Sequence, residues 1–73
     1  MPVTELGSSL TDKMEELAKT HPRGEELRKR AAELREGIAG FYGEPQTITV
    51  QRFLGRWARA RRLWCEITGE SLI

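Results

Sequence analysis

The chain is 73 residues long and nearly balanced in charge, with 12 Lys and Arg against 11 Asp and Glu, one histidine and one cysteine. That length allows a single small helical domain, residues 1–73, with a modest core. Cys65 has no second cysteine to pair with, and it forms no ligand spacing with His21, so neither a disulfide nor a metal is expected to staple the fold.

No apolar run approaches the ~18 residues of a membrane span. The start, Met1-Pro2-Val3-Thr4-Glu5, has neither a basic segment nor an apolar one, so no signal peptide is expected. An intracellular, cytoplasmic setting follows, and the unpaired cysteine agrees with it. The charge balance hides an asymmetry. Residues 1–44 hold seven Lys and Arg against nine Asp and Glu, whereas residues 45–73 hold five arginines against two glutamates. A chain with an acidic first half and a basic second half can pair its halves, stack on copies of itself or meet an acidic partner.

In chain order, residues 1–8 read as a lead-in arm, because Pro2 and Gly7 disfavour helix. Ser9-Leu10-Thr11-Asp12 has the form of a capping box, so a first helix is expected over about residues 10–19, with Leu10, Met14, Leu17 and Ala18 on its apolar face. His21-Pro22 breaks it. A second helix is expected from 23 to about 40, with Glu25 and Glu26 near its positive N-terminus. Its stripe of Leu27, Ala31, Leu34, Ile38 and Phe41 recurs at steps of 4 and 3, a seam of two heptads suited to a helical hairpin. Gly40, Gly43 and Pro45 should end that helix and turn the chain, with Phe41 and Tyr42 plugging one end of the bundle. Residues 46–50 have strand-like composition but no partner strand, and read as an extended lead-in.

The third helix, about residues 50–68, is the distinctive element. It carries both tryptophans, the cysteine and five of the nine arginines, with Thr49 or Thr47 as N-cap and Gly69 as stop. Val50, Phe53, Leu54, Trp57, Ala60, Trp64 and Ile67 share one apolar sector, while Arg52, Arg56, Arg59 and Arg62 form a ridge on the other side and Arg61 projects close to the apolar sector. Residues 69–73 form a short apolar C-terminal tail, best read as packing on the bundle. Its Ser71-Leu72-Ile73 end only loosely fits the form that strand-adding peptide-binding domains accept. The expected architecture is all-α: a helical hairpin crossed by a longer amphipathic helix.

Catalysis finds little footing. The one histidine sits beside a proline, the carboxylates lie on charged helix faces, and Gly37, Gly40 and Gly43 follow a helix instead of a strand, unlike a phosphate loop. A non-enzyme without cofactor or small-molecule substrate is expected. Arg61 and Arg62 could favour a Cys65 thiolate, but packing beside Trp64 is the commoner state of a cysteine. The leading reading is a protein-protein interaction module: a small subunit, adaptor or self-assembling unit. Its contacts would be Arg52, Phe53, Arg56, Trp57, Arg59, Arg61, Arg62 and Trp64. The alternative is a nucleic-acid-binding regulator using the arginine ridge. Against it stand a net charge of +1, a connection into the third helix longer than a helix-turn-helix allows, and Gln51 as the ridge's one amide for base reading. A membrane-surface role ranks third, since two other helices can cover the apolar sector.

Overall fold

The computed structural model describes residues 3–70, with side chains from Gly7 onward, and shows an all-α chain of three helices: α1 (Val3–Ala18), α2 (Gly24–Tyr42) and α3 (Val50–Thr68). Helix α2 lies in the middle. It packs closely along α1 on one side and along α3 on the other, whereas α1 and α3 meet only sparingly. The core is built from Leu10, Met14 and Ala18 of α1, Leu27, Ala31 and Leu34 of α2, and Phe53, Ala60, Leu63 and Trp64 of α3. The seam expected on α2 is realised: Leu27, Ala31 and Leu34 are fully buried, and Ile38 and Phe41 extend the row.

Helix α1 begins at Val3, well before the expected start near Leu10, so the segment read as a lead-in arm is helical from Val3. Ser9 is an exposed mid-helix residue and caps nothing. The physical reason is burial. The inward row starts at Gly7 and continues through Leu10, Thr11, Met14 and Ala18, and a helix that can bury one more turn on a neighbour outweighs the weak local signals of Ser and Gly. Thr11 is fully buried and donates its hydroxyl to the Ser8 carbonyl at 2.8 Å, the usual way a helix accommodates a buried hydroxyl.

The turn into α2 is held locally. The amides of Thr20 and His21 donate to the Leu17 carbonyl, and Gly24 N–H donates to that of His21. His21 Nδ1 accepts from Arg23 N–H at 3.0 Å, so the single histidine serves as a turn residue. At its far end α2 runs through Gly40 to Tyr42, two residues past the expected end. Phe41 stacks on Phe53 with ring centroids 4.9 Å apart and planes within 2°, and Tyr42 meets both rings edge-on. The rings come from a helical turn and not from a loop, and Phe41 packs on the core while Tyr42 remains 51% exposed.

Gly40 remains helical because the following loop folds back over it. Thr47 N–H donates to the Gly40 carbonyl at 2.9 Å, and buried Ile48 lies against the bare glycine. The extended segment then ends at Thr49, one of the two candidate N-caps, whose hydroxyl accepts from Arg52 N–H at 3.3 Å. Gly69 closes α3 with φ 76°, and its N–H donates to the Cys65 carbonyl at 2.8 Å. The apolar end, residues 71–73, lies outside the described residues.

Two glycines of similar sequence context should respond oppositely to alanine. A Cβ on Gly40 would lie 2.7 Å from Ile48 Cγ2 and 3.3 Å from Ile48 Cβ, so the loop backbone must move. Overpacking of this kind costs about 1–3 kcal/mol, more than the ~1 kcal/mol that alanine gains in a helix. A Cβ on Gly55 meets only Arg59 Nη1, at 3.6 Å. Urea unfolding followed by circular dichroism should therefore show Gly40→Ala destabilised by about 1 kcal/mol and Gly55→Ala stabilised by about 0.5–1 kcal/mol.

Candidate interaction surface

The apolar sector and the arginine ridge of α3 both exist, but the helix is rolled so that neither is wholly inside or wholly outside. Phe53 is 2% exposed and Trp64 7% exposed, so both belong to the core. Leu63 joins them, although its sequence position places it nearer the arginines. On the opposite flank Val50 and Leu54 remain 49% and 50% exposed. Trp57 is half-buried at the boundary: its ring comes within 3.7 Å of where a Gly7 side chain would begin. Trp64 lines a shallow hollow with Lys13, Leu17 and Thr20. The two indoles thus span the gap between α1 and α3 that the backbones leave open.

The Trp64 indole N–H donates to Glu70 Oε2 at 2.9 Å. Glu70 is placed for this by the left-handed Gly69 and by its own N–H, which donates to the Thr68 hydroxyl at 3.2 Å. The polar tip of a buried tryptophan is thereby satisfied by the turn that ends its own helix.

The arginines divide into two sets. Arg56 is drawn inward: its side chain is 23% exposed, its stem packs beside Gly37, and Nη1 donates to the Glu33 carbonyl at 3.0 Å and lies 3.4 Å from Glu36 Oε2. Arg52, Arg59, Arg61 and Arg62 are exposed and form no ion pair among the described residues. Of the ridge, Arg56 alone meets a carboxylate of the acidic half among the described residues, at Glu36, and the other pairs near the α2–α3 seam use arginines from the first half of the chain. Arg30 binds Glu33 at 2.7 Å, Arg23 binds Glu26 at 2.9 Å, and Arg23 lies 3.8 Å from Glu66 of α3. The hydrogen bond from Arg30 holds the Glu33 carboxyl below its usual range, with Arg59 adding to the effect from across the seam. On the other seam Arg35 bridges Asp12 at 2.7 Å and Glu15, fastening α2 to α1 and raising the Arg35 guanidinium further still.

What stays uncovered is a strip along α3: Val50, Leu54, Ala58, Arg61 and Cys65, with Trp57 at its inner border and Arg62 at its outer one. Cys65 is half-buried there. Of the residues singled out by sequence, Trp57, Arg61 and Arg62 meet at this strip, and Arg52 and Arg59 form a separate ridge nearer α2. Phe53, Arg56 and Trp64 are committed to internal packing. Sequence reasoning placed Val50 and Leu54 in the apolar sector without marking them as contact residues. Their signal was that the sector is wider than one neighbouring helix can cover. Among the described residues no helix is long and apolar enough to cross a membrane.

Two measurements test these assignments. Arg56→Ala should lower stability by about 1–2 kcal/mol through lost stem packing and hydrogen bonds. Arg52→Ala, at an exposed position, should stay within ~0.5 kcal/mol of the parent. The Glu33 carboxyl has a depressed folded-state pKa, so its contribution is present above the unfolded value of about 4.3 and is lost as pH falls through the folded one. Glu33→Gln should accordingly flatten the fall in Tm between about pH 5 and 3. The chain matches no protein-family model, and neither a curated protein nor a solved structure is found similar to it.

Proposed function

We propose that this chain is a non-catalytic protein-protein interaction module that docks through the uncovered strip of α3. One observation carries the reading. Helix α3 is sealed on one face by α2, yet it keeps Val50 and Leu54 half-exposed one turn apart, with Ala58 a turn further on. Scattered surface hydrophobics are ordinary, but a row at helical spacing beside a half-buried tryptophan and an arginine is the composition of contact surfaces. The core supports the same view. A chain of this size, without a disulfide, gains stability when a partner covers its remaining apolar row.

His21 is occupied in a turn, and the glutamates with depressed pKa, Glu26 and Glu33, are held by Arg23 and Arg30 at the surface rather than gathered in a pocket. The second reading, binding of nucleic acid by Arg52, Arg59 and Arg62, draws on their lack of ion-pair partners among the described residues. It is weakened by Glu33, Glu36 and Glu66, which lie along the same seam and would repel phosphates.

A photo-crosslinking residue at position 54, introduced into the full chain in cells, tests the proposal, with the same residue at exposed position 29 of α2 as control. A discrete protein adduct from position 54 and none from position 29 is expected. Val50→Glu in the same chain should remove that adduct while leaving the helical signal intact. Crosslinks to nucleic acid, or none from position 54, would transfer support away from a protein-docking role.

A further inference from the structure

We infer that the occupant of the α3 strip is an acidic amphipathic helix from another protein, and not a second copy of this chain. The inference rests on reading the strip as a docking surface and adds the chemistry of what docks.

The shape points to a helix. Val50, Leu54, Ala58, Arg61 and Cys65 recur at steps of 4, 4, 3 and 4, so they form one ridge along the α3 axis. At ~1.5 Å per residue the ridge extends over roughly 22 Å. Exposed Ala58 leaves a low point at its middle. A ridge of this pitch is matched by the i, i+3, i+4, i+7 rows of a second helix. An extended strand finds nothing to pair with here, because the backbone groups of α3 are already bonded within the helix.

The charge selects among helices. Residues 50–68 carry five arginines and one glutamate, Glu66. Arg61 stands within the apolar strip and Arg62 on its rim, and neither has an ion-pair partner among the described residues. Two copies docking α3 against α3 would bring these like charges together in a desolvated contact. The carboxylates that could answer them lie on α1 and α2, whose exposed residues among those described are charged or small, Tyr42 at the end of α2 apart. The large exposed hydrophobics of the described chain are Tyr42, Val50 and Leu54. Among the described residues the apolar row therefore lies on the basic helix, and the carboxylates of α1 and α2 lie on faces without such a row. The described faces of α1 and α2 in a second copy do not set an apolar row beside their carboxylates, whereas a helix with Leu or Ile along one stripe and Glu or Asp beside it supplies both. One carboxylate opposite Arg61 and another at the Arg62 rim would form the charge-assisted pairs that fix register.

The test uses the full chain and three synthetic 18-residue peptides read by fluorescence anisotropy. The first has Leu at seam positions and Glu at flanking positions. The second replaces Glu with Lys, and the third keeps Glu but replaces the seam Leu with Ser. The Leu/Glu peptide should bind at least about tenfold tighter than either of the others and weaken severalfold at high salt. Leu54→Glu should abolish that binding, and Arg61→Glu should shift the preference toward the Leu/Lys peptide, both variants keeping the parent helical signal. Equal binding of the Glu and Lys peptides overturns the inference, as does binding of the Leu/Glu peptide that survives Leu54→Glu. No binding to the folded chain, or a native mass of two chains that Leu54→Glu reduces to one, also overturns it. If the peptides fail while the residue-54 crosslink still yields a protein adduct, the docking surface stands and the acidic helix falls. If both are empty, both readings fall.

Discussion

Gly37 of α2 is buried against α3, and it presents no side chain there. Phe53 and the stem of Arg56 fill the place: a Cβ on this glycine would lie 3.0 Å from Arg56 Cδ and 3.5 Å from Phe53 Cδ1. This close approach sets how α3 is rolled about its own axis. With Phe53 and Arg56 turned toward α2, Ala60 and Leu63 follow into the core one and two turns later. Val50 and Leu54 are then carried to the outside. The surface proposed for docking is thus a consequence of a packing decision made on the opposite side of the helix.

Helix α2 is what allows that decision, because it serves two neighbours at once. Its row of Leu27, Ala31 and Leu34 meets both α1 and α3, and the seams on either side are fastened differently. The α1 side is closed by Arg35 reaching two carboxylates. The α3 side is closed by ring stacking of Phe41 on Phe53, by Arg56 on the Glu33 carbonyl, and by two longer cross-helix ion pairs, Arg56–Glu36 and Arg23–Glu66, of small individual worth. Because the described residues of α1 and α3 approach each other sparingly, through Trp57, Trp64 and their neighbours, they leave part of α3 without cover. A closed bundle, each helix against both others, would have hidden the same residues.

The arginine-rich character of α3 divides by the same geometry. Arg56 stabilises the fold and is largely removed from solvent, and Arg59 adds to the field at Glu33. Arg61 and Arg62 border the apolar strip, where a guanidinium near an incoming carboxylate would be strengthened by desolvation. The electrostatics of the chain therefore have an inward role and an outward one. The net charge of +1 conceals this division, since it sums over faces that point in different directions.

The amino-acid sequence by itself determined the number of helices, the end of each break, the stop of α3 at Gly69 and a choice of two threonines, Thr47 or Thr49, for its N-cap. Those features depend on local chemistry: His21-Pro22, the Thr49 hydroxyl and the freedom of Gly69 to adopt φ 76°. It also determined the apolar row of α2, because a row at steps of 4 and 3 has one way to face a core. The start of α1 at Val3, the continuation of α2 through Gly40 and the roll of α3 were decided only by tertiary structure. Each depends on a neighbour from another part of the chain: α2 against Gly7, Ile48 over Gly40, and Gly37 beneath Phe53 and Arg56. The sequence marks Val50, Leu54 and Phe53 as one apolar sector. Which of them is core and which is surface follows from the direction in which the second helix approaches, and no periodicity encodes that direction.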